Sequence, residues 1–572
     1  MRSRRTISLL AAFGLVAAIV PASTAAVAVS QVVQVTFIST LCPSYTVVPA
    51  NATPSAFDQT GGHFAELDTS YQKFLTNPAT DIPGICTKAG GWQFQLWSNP
   101  GVSVKVGSPL TTLSSGAGLG TLTVTLDATE LALAKTTGAP TGLWITQITK
   151  PSVAGFGALR CYNDIHNGDD RENIQGIGTA SLHIYCISYS ALPPTTYHAL
   201  DPARLLDTRT GKGGIAGPVP ANTAKTFHVT GGVVPANATA VTGNLTVTNQ
   251  TAKGFLFIGP VPTNAPGSST LNFPVGDNRA NAVTVGLGAG GTLSFTYAAH
   301  AGNKTDVVFD VTGYFTPGVT GDTYHPLDPA RLLDTRTGKG GITGPVPSHS
   351  AKTFTVIGGV VPSTATAVTG NLTVTNQTSK GFLFIGPVAS NSPGSSTLNF
   401  PVHDNRANAV TVGLGLGGTL SFTFAGTAGA NTDVIFDVTG YFTHDLTGTF
   451  YVPLSPARLL DTRISTGGVT GPVPSHTART FAVINHGRVS SLAKAVTGNL
   501  TVTNQTTKGF LFIGPVASNS PTSSTLNFPV HDNRANAVTV GLGAGGTLSF
   551  TYVAPAGART DAIFDVTGYF TP

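Results

Sequence analysis

The sequence predicts an all-β protein of four β-sandwiches in tandem, the first disulfide-bonded and the last three near-identical, of Greek-key or jelly-roll type. Three observations lead there. The hexapeptide Arg204-Leu205-Leu206-Asp207-Thr208-Arg209 returns as Arg331 to Arg336 and as Arg458 to Arg463, 127 residues apart each time, and the flanking sequence returns with it. That period is the size of a whole domain, whereas solenoid or propeller units of ~20–50 residues cannot bury a core alone. Only 10% of residues are charged, with 68 Gly and 38 Pro, and all three Glu (Glu66, Glu130, Glu172) precede the repeats. Such a composition favours strands and tight turns over helices. Within each repeat, apolar and polar residues alternate with period two, as in Val241, Leu245 and Val247 against Thr242, Asn244, Thr246 and Thr248.

In chain order, residues 1–28 read as an export signal: Arg2, Arg4 and Arg5, the apolar stretch Ile7 to Val20, then Ala26-Val27-Ala28 as cleavage site. Arg4-Arg5 also fits the start of a twin-arginine signal, and Ser8-Leu9 departs from it, which favours Sec export. Residues 29–193 hold all three Trp and all four cysteines, Cys42, Cys86, Cys161 and Cys186. An even cysteine count in an exported segment predicts two disulfides, with three pairings open. Strands are expected at Val32–Ser39, Trp92–Trp97, Val102–Val106, Thr121–Leu126, Leu143–Thr149 and Ser181–Tyr189. Pro193-Pro194 marks the boundary.

The repeats span 194–317, 318–444 and 445–572 and are expected as self-sufficient beads, suited to reach and multivalency. In the first, strands are expected at Ala224–Val229, Phe255–Ile258, Ser269–Phe273, Ala282–Leu287, Thr292–Tyr297 and Asp306–Phe315, punctuated by Gly217-Pro218, Gly259-Pro260 and Gly288–Gly291. Linkers fall near Pro317–Thr323 and His444–Thr449. No other apolar run is long enough to span a membrane, and the chain is expected to be monomeric.

The chemistry in the repeats is sparse. Net charge is +5, but basic residues are scattered, with no run to neutralise consecutive phosphates, so nucleic acid is excluded as a partner. The copies differ at His198/His325/Val452 and at Asp201/Asp328/Ser455, so a shared task does not need those side chains. The polar residues common to all copies include no His, Cys or Glu, which leaves no nucleophile–base pair. No catalytic residue, metal or cofactor is expected. A rival enzyme reading places a site in the N-terminal segment, on Glu130, Asp164, His166 or Glu172. The acidic loop from Asn163 to Glu172 reads as solvated rather than as a calcium site.

Two groups of residues stand out. Asp310 lies in an apolar run and needs a partner, which Arg204 and Arg209 supply, together with Asp207. This predicts a structural Arg–Asp cluster of Arg204, Asp207, Arg209 and Asp310, repeated as Arg331, Asp334, Arg336 and Asp437, and as Arg458, Asp461, Arg463 and Asp565. The second group, Asp277, Asn278, Arg279 and Asn281, reads as turn chemistry or as an exposed ligand-binding loop. Its copies are Asp404, Asn405, Arg406 and Asn408, and Asp532, Asn533, Arg534 and Asn536.

The combination Asp201-Pro202-Ala203-Arg204-Leu205-Leu206-Asp207-Thr208-Arg209, Asn244-Leu245-Thr246-Val247-Thr248 and Asp310-Val311-Thr312-Gly313-Tyr314-Phe315 resembles a repeat module of secreted proteins from actinobacteria and similar soil bacteria. The resemblance covers Tyr197 to Pro572 and implies an extracellular accessory role. Gly91-Trp92-Gln93-Phe94-Gln95-Leu96-Trp97, Leu143-Trp144-Ile145-Thr146-Gln147 and Ile184-Tyr185-Cys186 resemble a prealbumin-like (transthyretin-like) sandwich of bacterial surface proteins. That resemblance implies the pairings Cys42–Cys86 and Cys161–Cys186, and it sets Gln147 where such domains often carry an isopeptide-promoting Glu. The expected function is a secreted, non-enzymatic surface or adhesion protein whose repeats act as multivalent binding modules or as a stalk. Its expected partners are an extracellular glycan, a cell-wall polymer or a surface protein, with carbohydrate the leading ligand class.

Overall fold

Period-two alternation sets the architecture of each repeat, because strands with one apolar face must bury it against a second sheet. The computed structural model describes residues 31–42, 87–99, 101–115, 118–137, 142–149, 155–161, 171–179, 181–191 and 194–572. The expected export signal lies outside them. In repeat 1 the strands are β1 (Thr195–Asp207), β2 (Val219–Pro220), β3 (Lys225–His228), β4 (Ala240–Thr248), β5 (Gly254–Gly259), β6 (Leu271–Phe273), β7 (Arg279–Gly286), β8 (Thr292–Ala298) and β9 (Lys304–Pro317). One sheet has the order β1-β9-β4-β7, with β2 also on β9; the other has β3-β8-β5-β6, and repeats 2 and 3 reproduce both. Leu245 and Val247 of β4 and Phe309 of β9 meet Phe227, Leu256 and Phe295 of the opposite sheet in a fully buried core.

Strand β1 is not among the strands expected from alternation, which its Asp201-Pro202-Ala203 run interrupts. It is irregular, with register shifts between Ala199 and Ala203 and between Arg204 and Leu206, and these set Arg204 opposite Asp310 of β9.

The N-terminal strands also form two sheets. Lys105–Thr111, Gln93–Trp97, Leu143–Thr149 and Arg171–Ile174 make one; Val33–Cys42, Leu182–Ala191 and Gly155–Arg160, with Thr87–Lys88 and Thr121–Thr125, make the other. Cys161 and Cys186 are disulfide-bonded and buried in the core between them. Cys86, and with it the Cys42–Cys86 pairing, lies outside the described residues. The strand expectation missed one helix, Ala128–Lys135. Asp127 and Glu130 form a reciprocal capping box ahead of good helix formers, a signal that was present in the sequence.

The largest departure from expectation is the relation between repeats. They are not separate beads. The outer face of the β4–β7 sheet, which carries Thr242, Asn244, Ala282 and Thr284, turns towards the other two repeats. The three copies of β7 (Arg279–Gly286, Arg406–Gly413, Arg534–Gly541) meet one another pairwise around a common axis. At one end of that axis Phe315, Phe442 and Phe570 form a triangle with ring centroids 6.3–6.5 Å apart. Each tyrosine packs its ring against the phenylalanine of another repeat: Tyr197 on Phe442 at 4.3 Å, Tyr324 on Phe570 at 4.2 Å, Tyr451 on Phe315 at 4.4 Å. Gly313 is required beside this cluster, since a Cβ there would collide with the Tyr197 ring. The linkers fold back rather than extend, with Tyr197 N–H donating to Asp322 and Tyr324 N–H to Thr449, each at 2.9 Å.

Candidate functional site

The bulge in β1 brings the predicted Arg–Asp cluster together. Arg204 grips Asp310 with a two-pronged fork, Nε to Oδ1 at 2.9 Å and Nη2 to Oδ2 at 3.2 Å, and gives Nη1 to Asp207 at 3.1 Å. Arg209 holds the other side of Asp207, Nε to Oδ1 at 2.8 Å and Nη2 to Oδ2 at 2.7 Å. The same fork joins Arg331 to Asp437 and Arg458 to Asp565, and Arg336 and Arg463 hold Asp334 and Asp461. Hydrogen bonds from Arg209 hold the Asp207 carboxyl below the usual carboxylate range. Asp310 is pushed the other way, because burial outweighs the Arg204 contact. Both carboxylates are thus engaged by guanidinium groups, an arrangement unsuited to a dication.

The second group departs from one of its two expected readings, the exposed ligand-binding loop. Asp277, Arg279 and Asn281 are not members of an exposed loop but of a joint between repeats, and the same holds for Asp404, Arg406 and Asn408 and for Asp532, Arg534 and Asn536. Arg279 pairs with its own Asp277 at 2.9 Å and also with Asp532 of repeat 3. Arg534 pairs with Asp532 and with Asp404 of repeat 2, and Arg406 with Asp404 and with Asp277 of repeat 1. Three arginines and three aspartates so alternate in one closed ring. Burial raises the Asp277 and Asp532 carboxyls, but the two guanidiniums on each outweigh it and hold both below the usual range. Asn281 crosses the same seam, donating Nδ2 to Asn499 at 2.9 Å and accepting from Ala537 N–H at 2.8 Å. Asn408 and Asn536 repeat both contacts. Asn278, Asn405 and Asn533 keep exposed side chains, while their backbone carbonyls accept from Arg406, Arg534 and Arg279.

Of the residues in the rival enzyme reading, Glu130 caps its helix and Glu172 is buried in a strand. Asp164 and His166 lie outside the described residues, as does most of the Asn163–Glu172 loop. Among the described residues no cluster of His, Cys, Asp and Glu could hold a metal ion, and no helix is long and apolar enough to cross a membrane.

Sequence reasoning missed the seams themselves. Between repeats 1 and 2 lies a cleft of about 490 Å³, with Asp201, Pro202 and Arg204 on one wall and Phe384, Pro387 and Val388 on the other. Smaller cavities of about 30 Å³ occupy equivalent positions at all three junctions, under Pro202 and Phe384, Pro329 and Phe512, and Pro456 and Phe257.

No family model matches the chain, and no curated protein does. Among solved structures, the full-length major pilin SpaD from Corynebacterium diphtheriae is similar at 9% identity, covering 68% of this chain and 81% of that one with a TM-score of 0.17. The Sulfolobus Turreted Icosahedral Virus structure is similar at 11% identity, 66% and 91% coverage and a TM-score of 0.12. The full-length RrgB pilus protein from Streptococcus pneumoniae is similar at 10% identity, 93% coverage of both chains and a TM-score of 0.12. Likeness at that level bears on no activity of this chain.

Proposed function

We propose that this is an extracellular, non-catalytic surface protein whose three repeats form one compact trivalent binding head, with an extracellular glycan or cell-wall polymer as its partner. The observation that carries the reading is the closed Arg–Asp ring, which joins the three repeats at three similarly built junctions in one frame. Fixed multiple sites raise avidity on a repetitive polymer without any new contact, whereas a stalk gains nothing from folding back on itself. The buried Cys161–Cys186 disulfide fits an oxidising compartment. Among the repeat residues considered above, the charged groups common to all copies hold one another, which suits a scaffold better than a reacting centre.

Co-sedimentation of the full chain with insoluble bacterial cell walls tests this reading. Retention that resists high salt is expected. A chain left wholly in the supernatant would reduce the repeats to a spacer.

A further inference from the structure

Beside the ring, the first seam opens into a cleft in which a wall of one copy faces a wall of the next, and none of its lining residues belongs to the ring. At the first seam the polar wall is Asp201 and Arg204, with Asp310 beneath; the apolar wall is Phe384, Pro387 and Val388. Val388 is 66% exposed, and its counterparts Val516 and Val261 are 65% and 64% exposed, so the same apolar lip recurs three times. Arg204 reaches across to the Gly394 carbonyl, Arg331 to Thr522 and Arg458 to Gly267, so each seam is built by two repeats.

We propose that these seams are saccharide-binding clefts, each taking a neutral hexose or pentose unit of a polymer; the inference rests on the binding-head reading above and gives it a site. The volume of the first cleft lies in the range of small-molecule sites. The chemistry selects among occupants. The Arg204–Asp310 fork leaves little free positive charge, and Asp201 stands exposed at the rim, which disfavours a polyanion. An apolar peptide would bury Asp201 without a partner. A pyranose matches both walls: its C–H face lies on Phe384, Pro387 and Val388, and its hydroxyls donate to Asp201 and bond with Ser395. The seams are not equivalent. Asp201 and Asp328 correspond to Ser455 at the third, which loses a charged acceptor. Hydrogen bonds to charged groups are the stronger class, so the third seam binds on the order of tenfold more weakly.

The test is calorimetric titration of the full chain with neutral cello-, xylo-, malto-, manno- and chito-oligosaccharides. At least one series is expected to saturate at a stoichiometry approaching three, in two tighter sites and one weaker. Asp201→Ser with Asp328→Ser should merge all sites into the weak class. Val261→Asp, Val388→Asp and Val516→Asp together should abolish binding at an unchanged melting temperature, because all three side chains are largely exposed. The clefts are overturned if no series saturates, if the triple valine variant binds as well as the parent, or if proline-rich peptides compete while sugars do not. Cell-wall retention separates the two readings: retention that survives the triple valine variant removes the clefts and keeps the binding head, and no retention by the parent removes both.

Discussion

Arg279 and Asp532 are 253 residues apart in the chain and form an ion pair in which the side chains are 5% and 15% exposed. The contact closes repeat 1 onto repeat 3, and with its two counterparts it turns a linear tandem into a cycle. A charge so buried is tolerable because each guanidinium meets two carboxylates, one from its own repeat and one from another.

Removing one arginine should therefore be costly. Arg279→Met strands Asp277 and Asp532 with one guanidinium each, and breaking buried pairs in this way costs about 3–5 kcal/mol. Chemical denaturation of the full chain measures it. A loss under about 1 kcal/mol would show that the ring contributes no more than surface ion pairs do.

The ring also predicts cooperativity. Independent beads would give separable repeat transitions, and a substitution in one would leave the others alone. With shared seams, the three repeats should unfold in one calorimetric transition, and Arg534→Met in repeat 3 should lower the whole of it. A variant that melts repeat 3 alone and leaves repeats 1 and 2 at their original temperature argues for beads.

The strands were legible in the sequence because alternation such as Leu245 and Val247 against Thr246 and Thr248 is local and repeats three times. The Arg204–Asp310 pairing was legible too, since a carboxylate in an apolar run demands a partner. The closure was not. Asp277-Asn278-Arg279 has the composition of any surface turn, and identical copies give no sign that one residue serves its own repeat and a neighbour at once. A signal did exist on the outer face of β4 and β7. Thr242, Asn244, Ala282 and Thr284 are small and uncharged, whereas a solvated sheet face normally carries Lys, Glu or Arg.

The aromatic end of the axis offers an independent check. Phe315 touches Tyr197, Tyr451 and both other phenylalanines of the triangle, so Phe315→Ala opens a cavity shared by three repeats. A loss of about 3–5 kcal/mol is expected. Gly313→Ala should also destabilise without touching the triangle directly, because the new methyl group displaces Tyr197. If Gly313→Ala melts like the parent, the tight tyrosine packing is wrong.

Acid should separate the two carboxylate sets, because their folded values move in opposite directions. Asp277 and Asp532 are held below their ordinary value despite burial, as is Asp207 by its bonds from Arg209. Their contribution is present above the unfolded value of about 3.9 and is lost as pH falls through the lower folded value. Asp310, Asp437 and Asp565 are raised by burial. In the window between their unfolded and folded values the folded state binds the extra proton, so their term gains stability as pH falls. The two slopes oppose each other near pH 4. Replacing Asp277 and Asp532 by Asn should lower the melting temperature at neutral pH and flatten its acid decline. Replacing Asp310, Asp437 and Asp565 by Asn should steepen that decline, since the compensating term is gone. Thermal unfolding from roughly pH 2 to 7 reads both effects. Parallel curves for parent and both variants would mean that neither set titrates differently in the folded and unfolded chain, and that the ring carries no linked proton.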